Sequence, residues 1–197
     1  MADQPTSIDI QVADSAIVSE GIAATIWITA SFAPEWFDDA LREARAGAGH
    51  GQRRREILFS VCCAESYLLE WVRDEALHRD FQRIETYFPP RDRRGVYQKW
   101  KEIPRELHAD GLIANLPDFG GPHGNQWLTL IEYRDGLVHA SSSRPETDSI
   151  AGGPKPVPSK DLLSQIAPGW AVRTVIDRIT RLHAAAGTST PSWLVEP

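Results

Sequence analysis

Long apolar runs, cysteine partners and metal-binding clusters are all scarce in this chain. The longest apolar stretch, Ile22 to Ala33, is short and carries Thr25, Thr29 and Ser31. It therefore does not read as a membrane span, which needs about 20 predominantly apolar residues. The opening MADQPTSIDI lacks the basic start and apolar core of a signal peptide. Cysteine is confined to the adjacent pair Cys62-Cys63 within an apolar segment. Neighbouring cysteines on a helix rarely bridge, so two buried thiols in a reducing compartment are expected. A cytoplasmic protein with no membrane contact is the resulting expectation.

The six histidines are scattered without metal-ligand spacing, and neither HExxH nor a paired CxxC occurs. Gly120-Gly121-Pro122 and Gly152-Gly153-Pro154 lack the lysine and following helix of a phosphate loop. No nucleophile elbow is present. Neither a metal nor a cofactor is expected.

What remains is ordinary globular material. The 197 residues are 42% hydrophobic and 24% charged, which suits one compact unit with its own core. A formal net charge of −6 argues against coating nucleic acid through overall charge, although a local basic patch is compatible with it. Seventeen of the 21 basic residues are arginine, the side chain suited to forked phosphate contacts. The runs Arg53-Arg54-Arg55 and Arg91-Asp92-Arg93-Arg94 read most simply as solvated helix faces.

Periodicity points to helices. Residues 7–13 alternate as a short edge strand would, and 22–30 fit either a strand or a buried helix. Pro34-Glu35 opens a helix whose apolar face is Trp36, Phe37, Ala40, Leu41 and Ala44, ending at Gly47-Ala48-Gly49. The strongest pattern covers 52–78, through Ile57, Leu58, Val61, Leu68, Trp71 and Val72, and its wide apolar face suggests a central element. Helical spacing resumes over 95–109, with Pro104 expected to break or kink it. A loop, NLPDFGGPHG, leads to a helix over 125–141 capped by Asn125. Residues 141–160, rich in Ser, Gly and Pro, read as an exposed loop, and a last helix runs from about 169 to Gly187. The expected fold is mainly α, a helical bundle with an N-terminal extension that includes a candidate strand. The expected divisions are an N-terminal segment 1–50 packing on the bundle, a helical domain 51–187 and a tail 188–197.

Two features on these helices carry chemistry. Glu65 lies within the apolar face of the central helix, where a buried carboxylate needs a partner or becomes neutral. Either its head reaches water at the edge of the face, or it holds an arginine or histidine of the 125–141 helix. The second feature is YRDGLVHA, which sets Arg134 five residues before His139. Histidine exchanges protons near neutral pH and arginine holds phosphate oxygens, a pairing suited to metal-independent RNA cleavage. The spacing alone discriminates little, because Arg73–His78 and Arg178–His183 repeat it. Five positions on a helix lie roughly 140° apart, so Arg134 and His139 do not share a face without a long arginine reach or distortion near Gly136. Asp135 and His139, four apart, do share one, and the aspartate there orients the imidazole.

YRDGLVHA resembles the signature of the HEPN superfamily, in which an arginine, a polar residue and a later histidine occupy a late helix. REILFSVCCAESYLLEWV, with Glu65-Ser66-Tyr67, looks like an earlier helix of the same domains. The resemblance covers roughly residues 52–186. It implies a HEPN-like helical bundle that homodimerises and acts as a metal-independent endoribonuclease, a toxin or defence component with RNA as substrate and a cognate antitoxin or other protein as partner. It further implies His139 as general acid/base, Arg134 as phosphate clamp, Asp135 as orienter, and Glu65 and Tyr133 as support. Its alternative is an inactive HEPN-like dimer that binds a protein or nucleotide, with Arg134 paired to Glu65. The Arg73 and Arg178 matches fall outside the expected site and read as structural or solvent-facing.

Overall fold

The computed structural model describes residues 31–47, 49–78, 80–138 and 158–197. The candidate strand at 7–13, the segment 22–30, His139 and most of the 141–160 loop lie outside them. The described residues are mainly helical, with no strand among them: α1 (Ala33–Arg45), α2 (His50–Trp71), α3 (Phe81–Tyr87), α4 (Val96–Ala109), α5 (Gly121–Val138), α6 (Lys160–Gln165) and α7 (Trp170–Ala186).

The centre is α2. Ile57, Val61, Ala64, Leu68 and Trp71 recur at helical spacing and are buried, against α1 on one side and α5 and α7 on another. Two of its carboxylates tie down its neighbours. Glu70 accepts from the amides of Phe32 and Ala33, at 2.8 and 3.2 Å, and from the Ser31 hydroxyl at 2.7 Å, which satisfies the first donors of α1. Glu56 accepts from the Ala171 amide at 3.0 Å and does the same for α7. The chain entering α7 turns at Gly169, whose φ of 78° is left-handed.

Glu56 is only 1% exposed and pairs with Arg53, which is wholly buried and also donates to the carbonyls of Glu43 and Gly47. The first arginine of the 53–55 run is thus a core clamp across the α1–α2 turn, and only Arg54 and Arg55 lie on the solvated face. The buried acid of the central helix is correspondingly Glu56, nearly two turns from the helix start at His50, rather than Glu65.

Several boundaries differ from the periodic reading. The helix expected to run unbroken over 52–78 passes at Trp71 into a π-helical turn, Val72–Ala76, closed by the Leu77 amide on the Val72 carbonyl at 2.9 Å. It stops at His78, whose φ of 49° cannot continue a helix. Pro104 does not break α4, which continues to Ala109. Proline leaves the carbonyl four residues earlier without its helical donor. That carbonyl belongs to Trp100, and a guanidinium nitrogen of Arg178 approaches it at 3.5 Å, the long limit of a hydrogen bond.

The start of α5 is four residues earlier than expected, so Asn125 is inside the helix and does not cap it. Asp118 accepts from the Gly120 amide at 3.0 Å, and Pro122 presets the first turn. Gly124 is required there, because a Cβ would sit 2.3 Å from the Phe119 carbonyl oxygen. At the far end of the chain α7 ends as expected, with Gly187 left-handed and its amide on the His183 carbonyl at 2.8 Å. Part of the tail packs: Trp193 sits edge-on to Phe37 and Tyr67, with ring centroids 5.3 and 5.7 Å apart. Of the two thiols expected to be buried, Cys63 is, and Cys62 is half-buried; both are free.

Candidate functional site

Arg134 and Asp135 stand on the last turns of α5, just before its end at Val138. Gly136 is buried within the helix, which runs through it without a break. Arg134 Nε lies 3.3 Å from Asp135 Oδ1, and the two side chains are 19% and 28% exposed. Both line a cleft of about 330 Å³ whose opposite wall is the first turn of α4, Gly95 to Gln98, with Leu128 and Ile131 between. A helix start carries the positive end of its dipole and amides without helical partners, so the cleft presents two positive features to an anion. Asp135 offsets one of them.

The charge of Arg134 also reaches α2. Burial pushes the Cys62 thiol up from its ordinary value, as does Glu65, while Arg134 pulls it back. Glu65 does not hold Arg134. It is exposed and pairs with Lys99 of α4 at 3.0 Å, with its head at the solvent edge of α2. Tyr133 is half-buried with its ring 6.0 Å from that of Trp170, so it braces α5 against the start of α7. His139 follows α5 directly in sequence and lies outside the described residues.

Two further arginine–histidine matches at this spacing, Arg73–His78 and Arg178–His183, are structural. Arg73, on the π-helical turn, donates its Nε to Asp74 at 2.6 Å. Arg178 and His183 of α7 are 4% and 1% exposed. The His183 ring joins the Tyr67 hydroxyl through Nε2 and the Thr188 hydroxyl through Nδ1, the latter at 2.6 Å. Burial holds its pKa below the ordinary 6.5, which favours the neutral ring. Burial likewise pushes Tyr67 well up.

Arg178 is unusual in a second way. Its guanidinium lies 3.4 Å over the Phe119 ring centroid, with Trp127 and Trp100 at 5.1 and 5.6 Å. No carboxylate pairs with it among the described residues, and its Nε has no hydrogen-bond partner. Burial pushes its pKa down to about 9, which leaves it a cation at neutral pH. Periodicity could not single it out, since a buried arginine among aromatic rings has no local signature. Its position on the apolar face with Val175, Ile179 and Leu182 was the one available hint.

Among the described residues there is no group of three or more acidic, histidine or cysteine side chains able to hold a metal. No helix among them is long and apolar enough to cross a membrane. No family model, curated protein or solved structure matches the chain.

Proposed function

We propose that the chain is a metal-independent endoribonuclease of HEPN type that works as a homodimer in a toxin or defence role. The observation that carries this reading is the cleft in which Arg134 and Asp135 face the first turn of α4. It offers a forked cation and helix-start amides to one phosphate, and in sequence His139 follows the last residue of α5. In this reading His139 takes the proton of an RNA 2′-hydroxyl. The 2′-oxygen bonds to phosphorus, the bond to the 5′-oxygen breaks, and that oxygen takes a proton as it leaves. Arg134 balances the charge that builds on the phosphorane oxygens, and Asp135, four positions before His139 in sequence, orients the imidazole. Tyr133 supports the site through Trp170, and Glu65 acts only from the rim through Lys99.

The test is cleavage of single-stranded RNA by the purified protein in the presence of a chelator. His139→Ala abolishes the cut while the thermal midpoint stays where it was. Undiminished cleavage by that variant removes His139 from the mechanism, and no cleavage by the unmodified protein removes the activity.

A second reading is a catalytically inactive helical dimer that binds a protein or nucleotide. The limited exposure of Arg134, and its pairing with Asp135, favour it, because both suit an arginine kept for structure. Under this reading Arg134→Ala lowers the melting temperature, and neither form cuts RNA.

A further inference from the structure

The cavity beside Arg178 adjoins the Arg134 cleft, with Tyr97 and Leu128 lining both, and has a different chemistry. It encloses about 430 Å³ between α4, the 116–121 turn, the first turn of α5 and α7. That volume falls in the range of about 300–1,000 Å³ usual for small-molecule sites. Three cations line it: Lys101 and Arg105, exposed and four apart on α4, and Arg178 at its base. The one carboxylate in the lining, Asp118, is turned to the Gly120 amide at 3.0 Å. The start of α5, an 18-residue helix, contributes the positive end of its dipole from the same side. Arg178 is the decisive group. It is 4% exposed, lines the cavity, has no acid partner among the described residues and leaves its Nε unbonded. A buried cation without a counter-charge is costly unless an anion completes it. The rest of the wall is mixed and partly open, with Asn125 on one part and an apolar rim where Leu116 and Leu128 are 52% and 37% exposed and Tyr97 lies beside them.

We propose that this cavity binds a small phosphate monoester carried on a flat, largely apolar body, with the phosphate among Lys101, Arg105 and Arg178 and the ring against Tyr97 and Leu128. Three cations and a helix start suit a dianion better than a carboxylate, and the apolar rim suits a ring better than a bare ion. The proposal does not depend on ribonuclease activity, because it uses none of Arg134, Asp135 or His139.

Calorimetric titration of the full chain with AMP and with phenyl phosphate tests it, with adenosine and benzoate as the partners lacking the phosphate. Both phosphates bind at least about tenfold tighter than their partners, and the double variant Lys101→Ala/Arg105→Ala weakens both by a similar factor. Both substituted side chains are exposed, so the variant keeps the parent melting temperature. Arg134→Ala leaves AMP binding within about twofold, whether or not the protein cuts RNA. Equal binding of AMP and adenosine, no binding of either phosphate, or an unaffected double variant overturns the proposal. So does loss of AMP binding in Arg134→Ala, which would move the phosphate to the other cleft.

Discussion

Arg134 and Arg178 stand at the same spacing from a histidine, on two helices that pack against each other, and they meet opposite surroundings. Arg134 lies in a cleft wall near the end of α5, with Asp135 to balance it. Arg178 sits in mid-helix at the bottom of an aromatic cage, with Trp100, Trp127 and Phe119 around it and no carboxylate paired to it among the described residues. Its histidine is equally enclosed, held between Tyr67 and Thr188. Identical spacing therefore encodes nothing about role. What differs is which face of each helix the bundle covers.

The largest expected effect separates the two on activity. If the cleft is the reactive site, Arg134→Ala lowers RNA cleavage by about 10²–10³-fold with little change in melting temperature, as loss of a transition-state donor does. Measuring rate and melting point on the same preparation distinguishes this from a structural loss. The next effect breaks the core clamp instead: Glu56→Ala strands Arg53 in the interior and removes a cap from α7. Chemical denaturation should show a loss of about 3–5 kcal/mol. Arg178→Ala empties the aromatic cage and takes the donor from the Trp100 carbonyl, for a loss of about 2–4 kcal/mol by the same measurement.

His183 sharpens the comparison through pH. Its folded pKa lies below the ordinary 6.5, so above that value the ring is neutral in both states and contributes no pH dependence. As pH falls below 6.5 the unfolded chain takes up a proton that the folded chain refuses. Stability then declines until the lowered folded pKa is passed. His183→Gln removes this acid-side decline in melting temperature; an unchanged profile assigns the decline to other groups. The smallest effect belongs to Glu65. Glu65→Gln breaks only an exposed pair with Lys99, and denaturation should register less than about 1 kcal/mol.

Much of the bundle was legible beforehand because helix-forming patterns are local. The start of α1 beside Pro34, the central role of α2 and the end of α7 at Gly187 each follow from residues within a turn or two. The early start of α5 was not legible. GGPHG reads as a loop until Asp118 and the Phe119 carbonyl are seen to organise it. The same holds for Pro104, whose disruption of α4 was expected from local rules, while Arg178 of a distant helix approaches the carbonyl left without a donor. At the candidate site, sequence brought forward Arg134, Asp135, Tyr133 and Glu65, and of its two readings of Glu65 the head at the solvent edge is the one found, with Lys99 as a partner it did not name. It contained no sign that the first turn of α4 would form the opposite wall.

Sequence by itself determined that this protein is mainly α-helical and where most of its helices lie. Those properties depend on spacing and composition along the chain. Only the tertiary structure decided which charged residues are buried. It made Arg53 a clamp while Arg54 stays in solvent, put Glu56 and not Glu65 in the core, and turned Arg178 toward a cavity and Arg134 toward a cleft. The reason is that burial of a charge depends on what packs against it, and for these residues the packing partners come from elements far apart in the chain.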